Sequence, residues 1–464
     1  MFKKYFIRVL IFIFSVVYGT YSVVRHLKFE TYIFDLGYYD QLIWLISRGR
    51  PLFSSVIEAH PWVDHFSPSL FLLVPLYWIW DSPLVLLIFQ AVFISLGAYP
   101  IYLLSLKKTK SIVFSSLLAV CYLLFYGLQN AVAYDFHAVT LGPTLMAFIF
   151  WFYEEKRYKW FWIILVVFTG LQENFFILAS ALGLFFIVKY RDYKRGIPIM
   201  VGGLLFFILL IFYLIPGFFG GSYYYLQHFP QLDPGLMIKM LYTPFSKVDV
   251  MVFSLLSFGF LPLISPAFLV LLGEEFLGRF LGTTNPNWWI LGFHYNAILA
   301  PILAFAAVTT IQKYLYKRIY IAIILITVGT VISLIRVKPD IYKMFNKGFY
   351  DTGHTGNAKV VIKYLPETGS VAASNNLGAQ IAHREGLIFL TNCIDNKSVW
   401  GPDGKRCYKV TPDYILADID PVGFNNYYPD YDRDSIVKYL DSVQASGDYS
   451  LVKNAGYVFL LKRN

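Results

Sequence analysis

A chain of 464 residues would ordinarily hold two or three soluble domains, but here 57% of the residues are hydrophobic and only 15% are charged. Soluble domains run at roughly 45–50% and about 25%, and no soluble fold could hide 43 Phe, 36 Tyr and 10 Trp without large apolar patches. That excludes an ordinary cytosolic enzyme and a disordered chain, three cysteines exclude a disulfide scaffold, and a polytopic membrane protein remains.

The net charge of +10 lies wholly in residues 1–338, which hold 25 Lys+Arg against 15 Asp+Glu; residues 339–464 hold 14 of each. The cations form short clusters between apolar runs, a pattern of membrane topology and not of nucleic-acid binding. Charge-free runs occupy 9–24, 82–106, 111–134, 136–153, 196–232, 250–273, 280–312 and 319–335. A spanning helix needs about 20 apolar residues, and in lipid such runs must be helical to satisfy their own backbone. The first run resembles a signal sequence without a small-residue cleavage site and reads as an uncleaved helix.

Five basic clusters set the expected orientation: Lys3/Lys4/Arg8, Lys107/Lys108/Lys110, Lys156/Arg157/Lys159, Lys189/Arg191/Lys194/Arg195 and Lys313/Lys317/Arg318. The positive-inside rule places them all in the cytoplasm, together with the N-terminus. Residues 160–188 begin and end at such clusters and are too short for two full crossings. They read as a hairpin of two short helices with Gln172-Glu173-Asn174 at its tip. Keeping Lys313 inside requires an odd number of crossings in 250–312, taken as three, with an inner turn at Pro262 and Pro266. The expected fold is therefore an all-α polytopic membrane domain, 1–338, of about eleven transmembrane helices. An extracytoplasmic α/β domain, 355–464, follows it, and the protein belongs in the cell membrane.

The outer segments carry the polar chemistry. The first outer loop, 26–82, is long. Its stretch 34–49 has apolar residues at helical spacing and ends at Gly49-Arg50-Pro51, so it predicts an amphipathic helix lying on the membrane. After His60-Pro61-Trp62-Val63-Asp64-His65-Phe66-Ser67-Pro68 comes SLFLLVPLYWIW, a second surface helix or a shallow dip. Further outer segments are Tyr134-Asp135-Phe136-His137, a loop 217–249 with Tyr223-Tyr224-Tyr225, His228 and Asp233, and a segment near 282–295 with Trp288, Trp289 and His294. In the tail SVAAS, LIFL, YILAD, YSLV and GYVFLL read as strands, and NLGAQIAHR and DSIVKYLDSVQAS as helices. No GxGxxG, P-loop, HExxH or GxSxG occurs there. Cys393 and Cys407 share the outer side, and spacing does not decide whether they pair.

Asp35, Asp64, His65, Asp135, His137, Glu173 and His294 thus collect at one face from separate segments. Asp40, Glu58 and Asp233 read as wetted loop residues. Asp35, Asp135 and Glu173 border long apolar runs, so partial burial and a partner are expected for each. A carboxylate at such a face accepts a proton from an attacking hydroxyl or amine. Histidine or arginine binds a phosphate leaving group, which makes His65, His137, His294 and Arg279 candidates for donor phosphate or substrate, and Asp64 beside His65 joins them as a substrate-binding candidate. No nucleotide motif is present, which leaves room for an activated lipid as donor. Asp35, Asp64, Asp135, His137 and Glu173 also carry ligand chemistry for a divalent metal, but scattered singly and without ligand spacing. These residues alone leave several reactions open.

Residues 34–48 and 64–76 together resemble the first outer loop of the GT-C superfamily of integral membrane glycosyltransferases, which use polyprenyl-phosphate sugars. The chain is most similar to a prokaryotic family of predicted membrane proteins of unknown function within that superfamily. Tyr134-Asp135-Phe136-His137, Leu171-Gln172-Glu173-Asn174, Leu261 to Pro266, Phe293-His294-Tyr295, SVAASNNLGAQIAHR and DYILAD carry the likeness over nearly the whole chain. The resemblance implies transfer of a sugar from a polyprenyl-phosphate donor to an extracytoplasmic glycan, lipid or protein, with Asp35 as base and the acidic residues Asp135 and Glu173 as further catalytic residues. It departs from the pattern at Leu36, where many members carry a second acid. It departs again at His65-Phe66-Ser67-Pro68, where relatives carry a basic residue before a Pro pair, and at Gln172, where the usual residue is Lys. An inactive GT-C-like binding or assembly protein and a transporter are the alternatives. Few charges lie mid-helix and no pair of broken helices recurs in two halves, which argues against transport.

Overall fold

Almost every charge-free run folds as helix in the computed structural model, which describes residues 2–220, 223, 225–226, 229, 234–282, 285–350, 354–395 and 411–464. Of the residues singled out above, Tyr224, His228, Asp233 and Cys407 lie outside the described ones. Among the described residues, five helical stretches are long and apolar enough to cross a membrane: Tyr5–Leu27, Leu84–Thr109, Ile112–Ala133, Tyr193–Phe219 and His294–Val337. The last holds 44 residues and bends at Ile311–Arg318, so it contains two helices, Leu299–Thr310 and Ile319–Val337. Shorter apolar helices are Pro68–Ile79, in the first loop, and Ala138–Glu154, Tyr158–Thr169 and Phe175–Tyr190, between Ile112–Ala133 and Tyr193–Phe219.

The hairpin forms where the charge pattern puts it. Helices Tyr158–Thr169 and Phe175–Tyr190 meet at a turn over 170–174, closed by Phe168 stacking on Phe175 at 4.4 Å. Phe175–Tyr190 then packs on Tyr193–Leu209 backbone to backbone. A Cβ at Gly183 would run into the main chain of Gly196 and Met200, the small-residue contact that lets helices approach in lipid. Pro262 and Pro266 sit in two short 3₁₀ turns that break Ser246–Leu256 from Leu269–Phe280. The break is tied down by Thr310, whose hydroxyl donates to Leu261 O at 2.8 Å.

The basic clusters gather at one end of the helices. Lys108 pairs with Glu154 at 2.7 Å, Lys107 with Glu155 at 2.9 Å, and Lys189 donates to Thr309 at 2.7 Å. Phe6, near the start of the first helix, lies against Tyr102 at the same end. Asp35, Asp135, Glu173 and the tail lie at the other end.

In the tail, β1 (Val371–Ala373), β2 (Leu387–Phe389), β3 (Tyr414–Asp418), β4 (Tyr449–Ala455) and β5 (Val458–Arg463) form a sheet in the order β2-β1-β3-β5-β4. β1 pairs in parallel with β2 and β3, while β3–β5 and β4–β5 are antiparallel. Because strand side chains alternate, one face, with Ala372, Ile415 and Ala417, packs on Ile436 and Leu440 of helix Arg433–Ala445. The opposite face, with Val371, Ala373, Leu416 and Leu460, joins the apolar core of the membrane helices. A strand buried on both faces is apolar throughout, as β1 is.

Three expectations are corrected here. The helix expected over NLGAQIAHR forms only at Asn375–Gly378. Beyond it Gln380 donates to His26 O at 2.8 Å and Arg384 to Ile381 O at 2.8 Å, which hold the chain on a non-helical path. The amphipathic segment does fold, as a π-turn Ile33–Gly37 and helix Tyr38–Ser47, but its polar side is not wet. Gln41 donates to Arg384 O at 2.9 Å and Asp40 lies 3.0 Å from His383. Asp40 is accordingly 0% exposed and Glu58 5%, so neither is a wetted loop residue; the tail covers Asp40, and Glu58 lies inside the loop closed by the Ser54–Ala59 bridge.

Two glycines lie where the tail meets the first loop. A Cβ on Gly37 would lie 3.3 Å from Ala379 Cα, and one on Gly378 would lie 2.6 Å from Ile33. Gly378→Val should therefore destabilise the protein by about 1–3 kcal/mol through overpacking. Gly356→Ala, where the space is open, should change little. Thermal unfolding in detergent compares them, and equal midpoints would show that the tail is not docked at Ile33.

Candidate active site

Asp35 sits in the π-turn that precedes helix Tyr38–Ser47. Ile33 and Leu36 are fully buried and anchor the turn, and Ile33 N–H donates to Asn375 Oδ1 at 2.9 Å. The carboxylate is thereby left at the rim, 17% exposed, with Oδ1 3.0 Å from His137 Nε2. His137 is fixed in turn: its N–H donates to Gln90 Oε1 at 3.2 Å and its ring stacks on His294 at 4.3 Å. Tyr134 packs on both imidazoles. His294 is 3% exposed, and its Nδ1 has no hydrogen-bond partner among the described residues.

Asp135, only two residues from His137, points to a different partner. It pairs with Arg25 at 3.1 Å and accepts Tyr32 N–H at 2.6 Å. Arg25 also donates to Ala133 O at 2.5 Å. This buried ion pair staples the first helix to the segment leading into Asp35.

A second cluster centres on His65. Its Nδ1 lies 3.0 Å from Glu173 Oε1, and its Nε2 lies 3.0 Å from Tyr225 Oη. Glu173 also accepts Phe66 N–H at 3.0 Å and Tyr223 O–H at 2.8 Å, while Tyr225 donates to Asp64 at 2.8 Å. Burial opposes the imidazolium, but the Asp64 and Glu173 carboxylates outweigh it and lift the His65 pKa to about 9. Burial pushes Glu173 up, yet His65 and the hydrogen bonds bring its carboxyl below the ordinary range. Burial wins at Asp64, which is raised in spite of His65 and Tyr225. At neutral pH His65 is therefore a cation held by Glu173, the state in which a histidine binds an anion.

His65, Glu173 and Arg279 line a cavity of about 680 Å³. Its lining is apolar at Ile177, Leu184, Phe207 and Val270 and polar at Tyr225, Tyr295, Glu274 and Glu275. Tyr295 lies in the cavity wall with its ring 4.2 Å from that of His294. It thus connects the cavity to the Asp35–His137–His294 array standing beside it. Arg279 donates to Asn296 Oδ1 at 3.0 Å and to Glu275 O at 3.1 Å.

The structure thus divides the sequence candidates between two neighbouring clusters. Asp35, His137 and His294 form one, and Asp64, His65 and Glu173 the other, with Arg279 lining the same cavity as His65 and Glu173. Asp135 belongs to the Arg25 pair. Among the described residues no three His, Cys, Asp or Glu side chains converge as a metal site would require. Sequence reasoning missed Arg25, Tyr225, Tyr295, Glu274 and Glu275. The signal for the last two was the interruption itself: Glu274, Glu275 and Arg279 are the charges that separate the apolar runs 250–273 and 280–312.

The family described as Predicted membrane protein (DUF2079) matches residues 25–459. No curated protein matches the sequence. Among solved structures the chain is similar to ArnT from Cupriavidus metallidurans bound to undecaprenyl phosphate, at TM-score 0.56 and 10% identity, over 98% of this chain and 97% of that one. It is similar also to the apo state of the same protein, at TM-score 0.53 and 12% identity, over 99% and 98%. At these identities the likeness is one of fold.

Proposed function

We propose, from the premise that the chain belongs to the DUF2079 family of predicted membrane proteins, that it is a glycosyltransferase using a polyprenyl-phosphate sugar. The observation that carries the reading is the cavity. Its apolar wall suits a polyprenyl chain, the His65 cation lines it, and the Asp35 carboxylate is joined to its wall through His137, His294 and Tyr295. An ArnT of the same fold holds undecaprenyl phosphate.

Asp35 accepts the proton from the acceptor hydroxyl or amine as that atom bonds to the anomeric carbon. The bond from the anomeric carbon to the phosphate oxygen breaks on the opposite face, and its electron pair leaves with the phosphate. His65 stabilises the departing charge. Attack opposite the leaving group inverts the configuration. Asp135 and Glu173, committed to Arg25 and His65, act as positioning residues for the Asp35 turn and the imidazolium. By the positive-inside rule the clustered basic end faces the cytoplasm. The N-terminus then lies inside and the site and tail outside, with about eleven crossings between.

A deletion strain tests the reading. A polyprenyl-phosphate sugar or an unglycosylated acceptor should accumulate, as measured by lipid mass spectrometry. Complementation with the wild-type chain should clear it, and an unchanged profile of lipids and glycans would overturn the assignment.

A further inference from the structure

We propose that the sugar of the donor, and not its phosphate, binds between Glu274 and Arg279. The proposal rests on the polyprenyl-phosphate reading above and assigns the half of the cavity which that reading leaves unused.

Helix Leu269–Phe280 presents Glu274, Glu275 and Arg279 to the cavity. Two of their atoms are buried without hydrogen-bond partners among the described residues, Glu274 Oε2 and Arg279 Nη2. Buried groups of this kind are costly unless something satisfies them. One lacks a donor and the other lacks an acceptor. They lie five residues apart on one helix, about 7.5 Å of rise.

A phosphate offers acceptors only. It would satisfy Arg279 Nη2 but bring its charge against two carboxyl groups on the same helix, Glu274 and Glu275, and it offers Glu274 Oε2 no hydrogen to accept. A sugar ring carries hydroxyls that donate and accept at once, so neighbouring hydroxyls satisfy both ends. The lining adds a second feature: Tyr225, stacked by one face on the His65 ring at 4.9 Å, and Trp288 both line the cavity, with ring centroids 6.1 Å apart. Such aromatic faces cover the C–H side of a sugar while polar groups fix its hydroxyls. The phosphate then falls to His65, the other cation lining the same cavity. Because a site built around hydroxyl contacts rejects ligands that lack them, Glu274 and Arg279 become the residues that choose the sugar.

The experiment is a lipid-binding titration of the full-length protein in nanodiscs. The probes are undecaprenyl phosphate and its glucosyl, mannosyl and N-acetylglucosaminyl derivatives. Wild type should bind at least one sugar lipid about ten-fold or more tighter than the bare phosphate lipid. Glu274→Gln and Arg279→Gln should each cost on the order of ten-fold for that sugar lipid, the scale of one hydrogen bond to a charged group. The bare lipid should change less than about two-fold, whereas His65→Gln should weaken all four. Glu274→Asp and Arg279→Lys serve where the first variants unfold early. Equal losses for bare and sugar lipids in the Arg279 variants would make Arg279 a phosphate ligand and overturn the proposal alone. So would sugar lipids that bind wild type no better than the bare lipid. Failure of wild type to bind any of the four would overturn the polyprenyl-phosphate reading and this proposal with it.

Discussion

Asp35→Asn should leave a protein that folds, inserts and binds donor lipid but turns over about 10²–10⁴-fold more slowly, the usual worth of a general base. The change is isosteric, and the π-turn around it is held by Ile33, Leu36 and the Asn375 hydrogen bond, none of which involves the carboxylate. His137 Nε2–H would still meet an oxygen on the amide, so the His137–His294 stack should persist. Only the capacity to take a proton is lost. Asp40→Asn makes the contrast. Asp40 is fully buried, accepts Tyr77 O–H at 2.5 Å and faces His383 in the tail. Its variant should lower the unfolding midpoint while turnover per folded molecule stays near wild type. Sugar transfer from a labelled lipid donor in proteoliposomes measures both. Full activity in Asp35→Asn with loss in Asp40→Asn would sink the assignment of the base.

His65→Gln should have the second largest effect, on stability and turnover together. Glu173, 1% exposed at its side chain, would keep Phe66 N–H and Tyr223 O–H but lose its cation. Breaking a buried ion pair by removing one partner costs about 3–5 kcal/mol. Loss of one preorganised group from a developing charge costs about 10²–10³-fold in rate. The pH dependence separates this from simple misfolding. The folded His65 pKa, about 9, stands above its ordinary 6.5. The stability that His65 contributes is therefore complete below pH 6.5 and is lost as pH rises through about 9. Glu173 is lowered below its ordinary 4.5, so its share is present above 4.5 and lost only as pH falls through its folded value. Wild type should lose stability from pH 7 to 10, and His65→Gln should lack that alkaline decline. Adding Glu173→Gln to His65→Gln should restore part of the lost stability, because no buried charge is then left unpaired. Parallel stability–pH curves for wild type and His65→Gln would show that the imidazole is not charged in the fold.

Much of this architecture was legible in the residues because lipid imposes a local rule. A segment in hydrocarbon must satisfy its own backbone, so it must be helical and free of charge over a fixed length. Residue types alone therefore marked the helices, the hairpin tip at Glu173 and the break at Pro262 and Pro266. Strand alternation and turn residues did the same for the five tail strands. The partners of the charges obey no such rule. Asp135 and His137 stand two positions apart, yet one pairs with Arg25 on the first helix and the other with Asp35 beyond it. Asp40 looked wet because its cover, His383, lies 343 positions away. Arg279 was legible as a candidate phosphate or substrate ligand, but Glu274 and Glu275 read as a mere interruption of apolar sequence until packing set all three in one cavity with His65. Hydropathy and backbone satisfaction are properties of a segment and were fixed by sequence. Which carboxylate meets which cation depends on which helices abut, and only the tertiary structure decided that.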